Sequence, residues 1–383
     1  MLNLDQGLPD PRLFPVELLR ETIDAVLRDD GTDALRYYGA GGPSEMRLGS
    51  IGLRTALADR TAARTGRSVT ADCVMLANGS TDGLAVAVKA LLGPGDGAVV
   101  EAATYRHTRT FMRATGAVVR STPIDDAGIV IDELERTLDG LDRDGHPARL
   151  IYTIPTFQSP TGSVLPLDRR VALVELASRR GIKVLEDNCY YEFGYDRQPP
   201  PTLFALDTGA TVVHSDSFSK YVAPGVRIGW VVADPDDIEA LSQARQDFSV
   251  SQILARTMER FVVEGHLDRH IATLRGHYQR KCERTTQLLR EHCGQHASFN
   301  APQGGFFFWL TLHGDTDAEV VTRLLAERGV GVRTGEWFTD EPFGKRRLRL
   351  SPIQLDDDQL ERGITILGEV LATTGAAGAG SGE

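Results

Sequence analysis

Lysine is scarce in this chain. Of its 42 lysines and arginines only five are lysine, which leaves 37 arginines. A guanidinium forms no imine, so any chemistry that needs a nucleophilic amine falls on very few positions. Cysteine is sparse too. The four, at 73, 189, 282 and 293, have neither a metal-ligand spacing nor the density of a disulfide framework. They fit a reducing compartment and lead us to expect no metal site. No apolar stretch reaches the roughly 20 residues that cross a bilayer. The opening MLNLDQGLPDPRLFP has no basic region followed by an apolar run, so no secretory signal is visible and the cytoplasm is the expected location. Positive charge is in deficit: a net charge of −11 argues against a nucleic-acid groove or an anionic membrane surface as partner.

What the chain does have is the composition of a soluble globular protein, 41% hydrophobic and 25% charged, with length enough for two or three domains. Short apolar runs read as buried strands: VMLANG (74–79), AVVEA (98–102), AVVRSTPI (117–124), RLIYTIP (149–155), KVLEDN (183–188), TVVHSDS (211–217) and RIGWVVA (227–233). Helical spacing lies between them, as in GLAVAVKALLG (83–93) and PLDRRVALVELASRRG (166–181). Alternation of this kind predicts an α/β domain with a mainly parallel sheet flanked by helices, and binding groups at the carboxyl ends of its strands. Residues 236–293 read as polar and helical, suited to a long helix linking two lobes. Beyond them GGFFFWLTL (304–312), GVGVRTG (329–335) and RLRLSP (347–352) read as strands of a smaller α+β lobe closed by a helix at 357–372. The expected division is an N-terminal segment, 1–45, belonging to the small domain and to dimer contacts; a large domain, 46–265; and a C-terminal small domain, 266–372. A Gly/Ala/Ser-rich tail, 373–383, is expected to be disordered.

Lys220 stands in SDSFSKYVAPGVRIGW (215–230), after the hydroxyls of Ser217 and Ser219 and seven residues before Arg227. An amine beside hydroxyl and guanidinium donors suits an aldehyde that carries a phosphate, pyridoxal 5′-phosphate (PLP). Alone, the residue reads as well as a surface lysine after a Ser-rich turn. Asp187 closes the strand KVLED; it is either a solvated strand end or the partner of a protonated pyridine nitrogen. Tyr190 then suits the ring's O3′, and Tyr191 turns the other way. Gly79-Ser80-Thr81 sits between a strand and a helix, as a phosphate cradle or a simple N-cap. Tyr105 is either core or a ring-stacking platform. Arg349 alternates with Leu348 and Leu350, free to clamp a carboxylate or to face solvent. The glycines of Gly93-Pro94-Gly95-Asp96-Gly97 mimic a dinucleotide fingerprint but precede a strand, and read as a turn.

Taken in order, GST, TY, TFQSPTG, EDNCYYEF, SFSKYVAPGVRIGW and RLRLS resemble the fold-type I PLP enzymes, specifically class I/II aminotransferases of the 2-aminoadipate and kynurenine branch. The resemblance runs from GLPDPRLFP (7–15) to the closing helix. It implies that Lys220 holds PLP as a Schiff base, Asp187 faces the pyridine nitrogen, Tyr190 bonds O3′ and Tyr105 stacks on the ring. It implies further that Gly79, Ser80, Thr81, Ser217, Ser219 and Arg227 hold the phosphate and that Arg349 binds the substrate α-carboxylate. Tyr38, in RYYGAGG (36–42), resembles a tyrosine that reaches the neighbouring subunit's phosphate, so a homodimer with shared sites is implied. The sequence departs from the family in two places. Ser159 stands where many relatives have an asparagine at O3′, and AGGPSEMRLGS (40–50) is longer than the usual turn before Leu53-Arg54.

The expected reaction is amino transfer from an L-α-amino acid to a 2-oxo acid, with the freed Lys220 amine as general base at Cα. Ser159 and the unusual entrance keep open elimination, replacement, cyclisation or oxidation of an amino acid on the same cofactor. A PLP-sensing regulator would need a DNA-binding module ahead of the entry motif at residue 7; none is expected.

Overall fold

The computed structural model describes residues 1–39 and 41–379. Seven strands form the central sheet: β1 (Val74–Ala77), β2 (Gly97–Glu101), β3 (Val118–Thr122), β4 (Ala148–Thr153), β5 (Lys183–Asp187), β6 (Val212–Ser217) and β7 (Gly229–Val232). Their order across the sheet is β1-β7-β6-β5-β4-β2-β3. All run the same way except β7, which is antiparallel to both its neighbours. The strands are apolar on both faces because helices cover both. Alternate residues fall into two separate cores: Val99, Ile151, Val184, Val212 and Val232 on one side, and Val100, Leu150, Leu185, Val213 and Val231 on the other. Two-residue periodicity sorts them. Each fully buried Val or Leu removed from water contributes about 1.5–3 kcal/mol. The first face packs on α1 (Ile51–Thr65) and α3 (Leu167–Arg180), the second on α2 (Ser80–Leu91).

A second sheet is antiparallel: β8 (Ala297–Ser298), β9 (Phe308–Leu312), β10 (Arg333–Thr334) and β11 (Arg347–Leu350), in the order β8-β9-β11-β10. Leu2–Asn3 pairs in parallel with Val330–Gly331, which ties the N-terminus to this lobe.

Two expectations change. The polar helical stretch at 236–293 is three helices, Pro235–Ala244, Gln252–Val263 and α4 (His266–Cys293). Ser249 (φ +68°) and Gly265 (φ +71°) take left-handed backbone between them, which an uninterrupted α-helix cannot contain. The closing helix, Asp357–Ala379, runs seven residues into the segment expected to be disordered. Three alanines there, 376, 377 and 379, are strong helix formers, and an existing helix extends more readily than a new one starts. Residues 380–383 of that segment, and Ala40 of the entrance stretch, lie outside the described residues. The rest of the entrance is a short helix, Glu45–Leu48. The buried Glu45 carboxylate accepts from the backbone N–H groups of Gly39, Gly41 and Ile51 and so folds the segment on itself.

Candidate active site

The carboxyl ends of β1, β2, β4, β5 and β6 lie along one edge of the sheet, and the start of the antiparallel β7 joins them. Lys220 follows β6 within a single helical turn, Phe218–Tyr221, capped by the Ser217 hydroxyl, which accepts from Ser219 N–H at 3.0 Å. Its Nζ donates to the carbonyl of Gly7 at 2.8 Å and lies 5.7 Å from the centre of the Tyr190 ring. Among the described residues no carboxylate forms an ion pair with it, and burial pulls its pKa below the ordinary lysine value. Gly7 permits this approach: a Cβ there would stand 2.5 Å from Phe307 Cε1.

Asp187 ends β5. Its Oδ2 accepts from the phenol of Tyr152 at 2.9 Å, while Oδ1 is buried with no hydrogen-bond partner among the described residues. Desolvation raises its pKa, opposed by the Tyr152 bond and by the backbone and thiol of Cys189. A dry, unpaired acceptor beside a buried amine is costly alone and fits a protonated ring nitrogen. Tyr190 is buried edge-on against Phe306 and Phe307, at 5.3 Å from each, and burial pushes its phenol pKa well up. Tyr191 begins the short helical turn Tyr191–Phe193 and lines a separate cavity with Arg64, Asp216 and Trp230.

At the phosphate end, Gly79 caps α2 at φ +85° without a side-chain bond, so the first N–H groups of that helix, at Ser80 and Thr81, point outward. Arg227 itself holds left-handed backbone (φ +54°) and sends Nη2 to the carbonyl of Asn78 at 2.6 Å. A Cβ on Gly79 would sit 2.7 Å from that nitrogen. Ser217 and Ser219 Oγ are 2.9 Å apart, and Thr81 Oγ1 is 3.2 Å from the Tyr105 hydroxyl, which anchors Tyr105 beside the cradle.

Arg349 projects from β11 with its guanidinium between Phe307 and Phe338, 4.6 and 4.5 Å from their centroids. Nη2 donates to the Asp5 carbonyl at 2.6 Å, Nη1 is 3.5 Å from Ser159 Oγ, and Nε is buried without a partner. Burial lowers its pKa to about 10. Asp5 is held in turn by Arg333, whose Nε donates to Oδ1 at 2.7 Å, so residues 5–7 lie across the mouth. Tyr38 is the one candidate that the chain alone does not bring to the others. It is 40% exposed, next to Tyr37 (72%) and Phe248 (67%), whose rings meet at 5.9 Å.

Sequence reasoning passed over Tyr152 and Asp5. A phenol inside the otherwise apolar run LIYTIP was the available signal for the first, since a buried Tyr hydroxyl needs a partner. Nothing local marked the second. The donor set as a whole fits PLP: an amine free of acid partners, an unpaired carboxylate oxygen, and hydroxyls, a guanidinium and a helix N-terminus gathered at one end.

The family model for "Aminotransferase class I and II" matches residues 40–367. An aromatic-amino-acid aminotransferase of Thermococcus litoralis is 32% identical over 376 residues, covering 97% of this chain and 88% of its own length. A 2-aminoadipate transaminase of Thermus thermophilus is 30% identical, with 97% of this chain and 90% of its own length covered. A solved kynurenine aminotransferase of Pyrococcus horikoshii, in complex with PMP, superposes with a TM-score of 0.90 at 31% identity, covering 97% of this chain and 91% of that one.

Proposed function

The chain belongs to the class I and II aminotransferases, and from that membership we propose how its own residues divide the work of a PLP-dependent aminotransferase. PLP, when bound, supplies the electron sink that stabilises negative charge at the substrate Cα. Lys220 anchors it through Nζ. Once displaced by the incoming amino group, that same amine would take the Cα proton, a task that the burial lowering its pKa favours. Asp187 offers Oδ1 to the ring nitrogen while Tyr152 holds Oδ2. Tyr190 and Ser159 face O3′, and Tyr105 lies against the ring. The α2 N-terminus, with Gly79, Ser80 and Thr81, and Ser217, Ser219 and Arg227 hold the phosphate. Arg349 takes the α-carboxylate of an L-α-amino acid, and then of the 2-oxo acid that accepts the amino group, in place of the Asp5 carbonyl it holds now. The working unit is a homodimer in which Tyr38 reaches the partner's phosphate site, and its place is the cytoplasm.

Asp187 Oδ1 carries this reading most directly, because among the described residues it is buried without a hydrogen-bond partner. A panel of L-amino acids tested against the visible absorbance of the holoenzyme is the decisive experiment. We expect at least one to discharge the chromophore and a 2-oxo acid to restore it, and borohydride to fix the cofactor on Lys220. Loss of ammonia, or uptake of oxygen, without any 2-oxo acid requirement would overturn amino transfer.

A further inference from the structure

Glu101 is the last residue of β2 and is 1% exposed, yet among the described residues no cation pairs with it. Four donors converge on its carboxylate instead. Oε1 accepts from Thr153 Oγ1 at 2.8 Å and Ile154 N–H at 3.3 Å; Oε2 accepts from Gln158 Nε2 at 2.8 Å and Thr104 Oγ1 at 3.2 Å. Burial raises its pKa and each of these bonds opposes the rise. The amide of Gln158 extends the network: Nε2 also donates to the Ala103 carbonyl at 2.7 Å, and Oε1 accepts from Thr161 N–H and Oγ1, both at 2.8 Å.

These bonds join the two loops that follow the neighbouring strands β2 and β4. One, residues 102–105, delivers Tyr105. The other, residues 154–163, delivers Ser159. Both flank the space the cofactor ring takes under the reading above, on which this inference rests. A dry carboxylate is a costly choice for a mere spacer, because removing one donor or the charge leaves several polar groups unpaired at once. Such a network has one arrangement and little give.

We propose that Glu101 and Gln158 are positioning residues for the cofactor: the carboxylate–amide pair sets the separation of the two loops, and with it the placement of Tyr105 against one face of the ring and of Ser159 at its edge. Neither side chain touches the substrate; both act through Tyr105 and Ser159.

The test uses the holoenzyme and three readouts: visible circular dichroism per bound cofactor, the dissociation constant of PLP from the reconstituted apoenzyme, and the thermal midpoint. Glu101→Gln turns an amide N–H against donors. It should lower the dichroism severalfold and weaken PLP roughly tenfold, the loss expected when a hydrogen bond to a charged group goes. The double variant Glu101→Gln with Gln158→Glu returns one carboxylate and one amide to the pair but loses the donor to the Ala103 carbonyl, so it should recover only the part of both signals that the pair itself carries. Asp207→Asn is the matched control. That buried carboxylate accepts from Gly209, Thr211 and Val212 N–H ahead of β6, at the opposite edge of the sheet, and its loss should lower the midpoint with the dichroism unchanged.

Wild-type dichroism and affinity in Glu101→Gln would overturn the proposal, and so would an equal change in Asp207→Asn. Should Glu101→Gln not fold, Gln158→Met decides, because it keeps the carboxylate but removes its amide donor together with the ties to Ala103 and Thr161; unchanged signals there overturn it as well. A wild-type protein that takes up no PLP would instead sink the cofactor assignment itself, so the two failures are distinguishable.

Discussion

Tyr152 and Asp187 show how one hydrogen bond can dedicate a carboxylate. The phenol occupies Oδ2, and burial leaves Oδ1 with no alternative to a ligand. Tyr152→Phe should therefore keep the fold and lower kcat roughly ten- to hundredfold, the worth of one hydrogen bond to a charged group. Asp187→Asn, which cannot hold a ring nitrogen cationic, should cost more than Tyr152→Phe; steady-state kinetics on both variants checks the order, and equal effects would contradict it. At the other end of the substrate, Arg349→Lys removes the planar fork but keeps the charge. Its KM should rise about tenfold or more with a smaller change in kcat, since the α-carboxylate is bound alike in ground and transition states. Asp187 stood out in the sequence because it closes an apolar strand, and Lys220 because it is one of five lysines and follows the hydroxyls of Ser217 and Ser219. Tyr152 was not, because inside a strand a tyrosine looks like core until its hydroxyl is followed to a partner on the next strand.

Elements carry the next layer. The α2 N-terminus is usable only because Gly79 takes φ +85° and leaves room for Arg227. Gly79→Ala adds strain in the left-handed region and a methyl group 2.7 Å from Nη2, so PLP should dissociate at least roughly tenfold more readily while α2 itself survives, as titration of the apoenzyme would show. Strand β6 holds a different charge. Asp216 lines the cavity beside Tyr191 and Arg64, accepts Ser217 N–H at 2.7 Å, and is raised to about 7 by burial, against the pull of His214 and Arg64 and with the push of Asp187. An unfolded aspartate titrates near about 3.9. Between those values the native state holds a proton that the unfolded state has lost, so stability falls as pH rises from about 4 to 7 and levels off above. Asp216→Asn cannot ionise. Its thermal midpoint should exceed wild type at pH 8 and the difference should shrink toward pH 5; a gain independent of pH would refute the assignment. The strands of the large sheet were legible because helices on both faces demand continuous apolar runs. The breaks at Ser249 and Gly265 were not, because polar helices separated by short turns have the same periodicity as one long helix.

At the scale of the whole molecule, the second, antiparallel sheet could be read from the change of pattern after residue 293, whereas the path of residues 5–7 beside Arg349 could not. It depends on Arg333 and Arg349 meeting Asp5 over more than 300 residues of separation. Tyr38 poses the same problem between chains. It is partly exposed next to Tyr37, whose ring meets Phe248, and among the described residues no side-chain hydrogen bond or ring contact joins it to the candidate site, so its assigned role calls for a second copy. Two defective variants test this together. Lys220→Ala lacks the anchoring amine and Tyr38→Ala lacks the reaching phenol. In a heterodimer of the two with crossed sites, one site combines both defects and the other contains neither. Random exchange of equal amounts makes about half of the dimers mixed, so about one quarter of all sites become intact. Activity should therefore appear on mixing and approach about that fraction of wild type, provided that Tyr38→Ala alone retains little. Were Tyr38 to serve its own chain, every site in the mixture would carry one defect and mixing would restore nothing. Dilution supplies the independent check, because a site completed by the partner must lose activity with the dimer, and sedimentation on the same samples reads that loss directly.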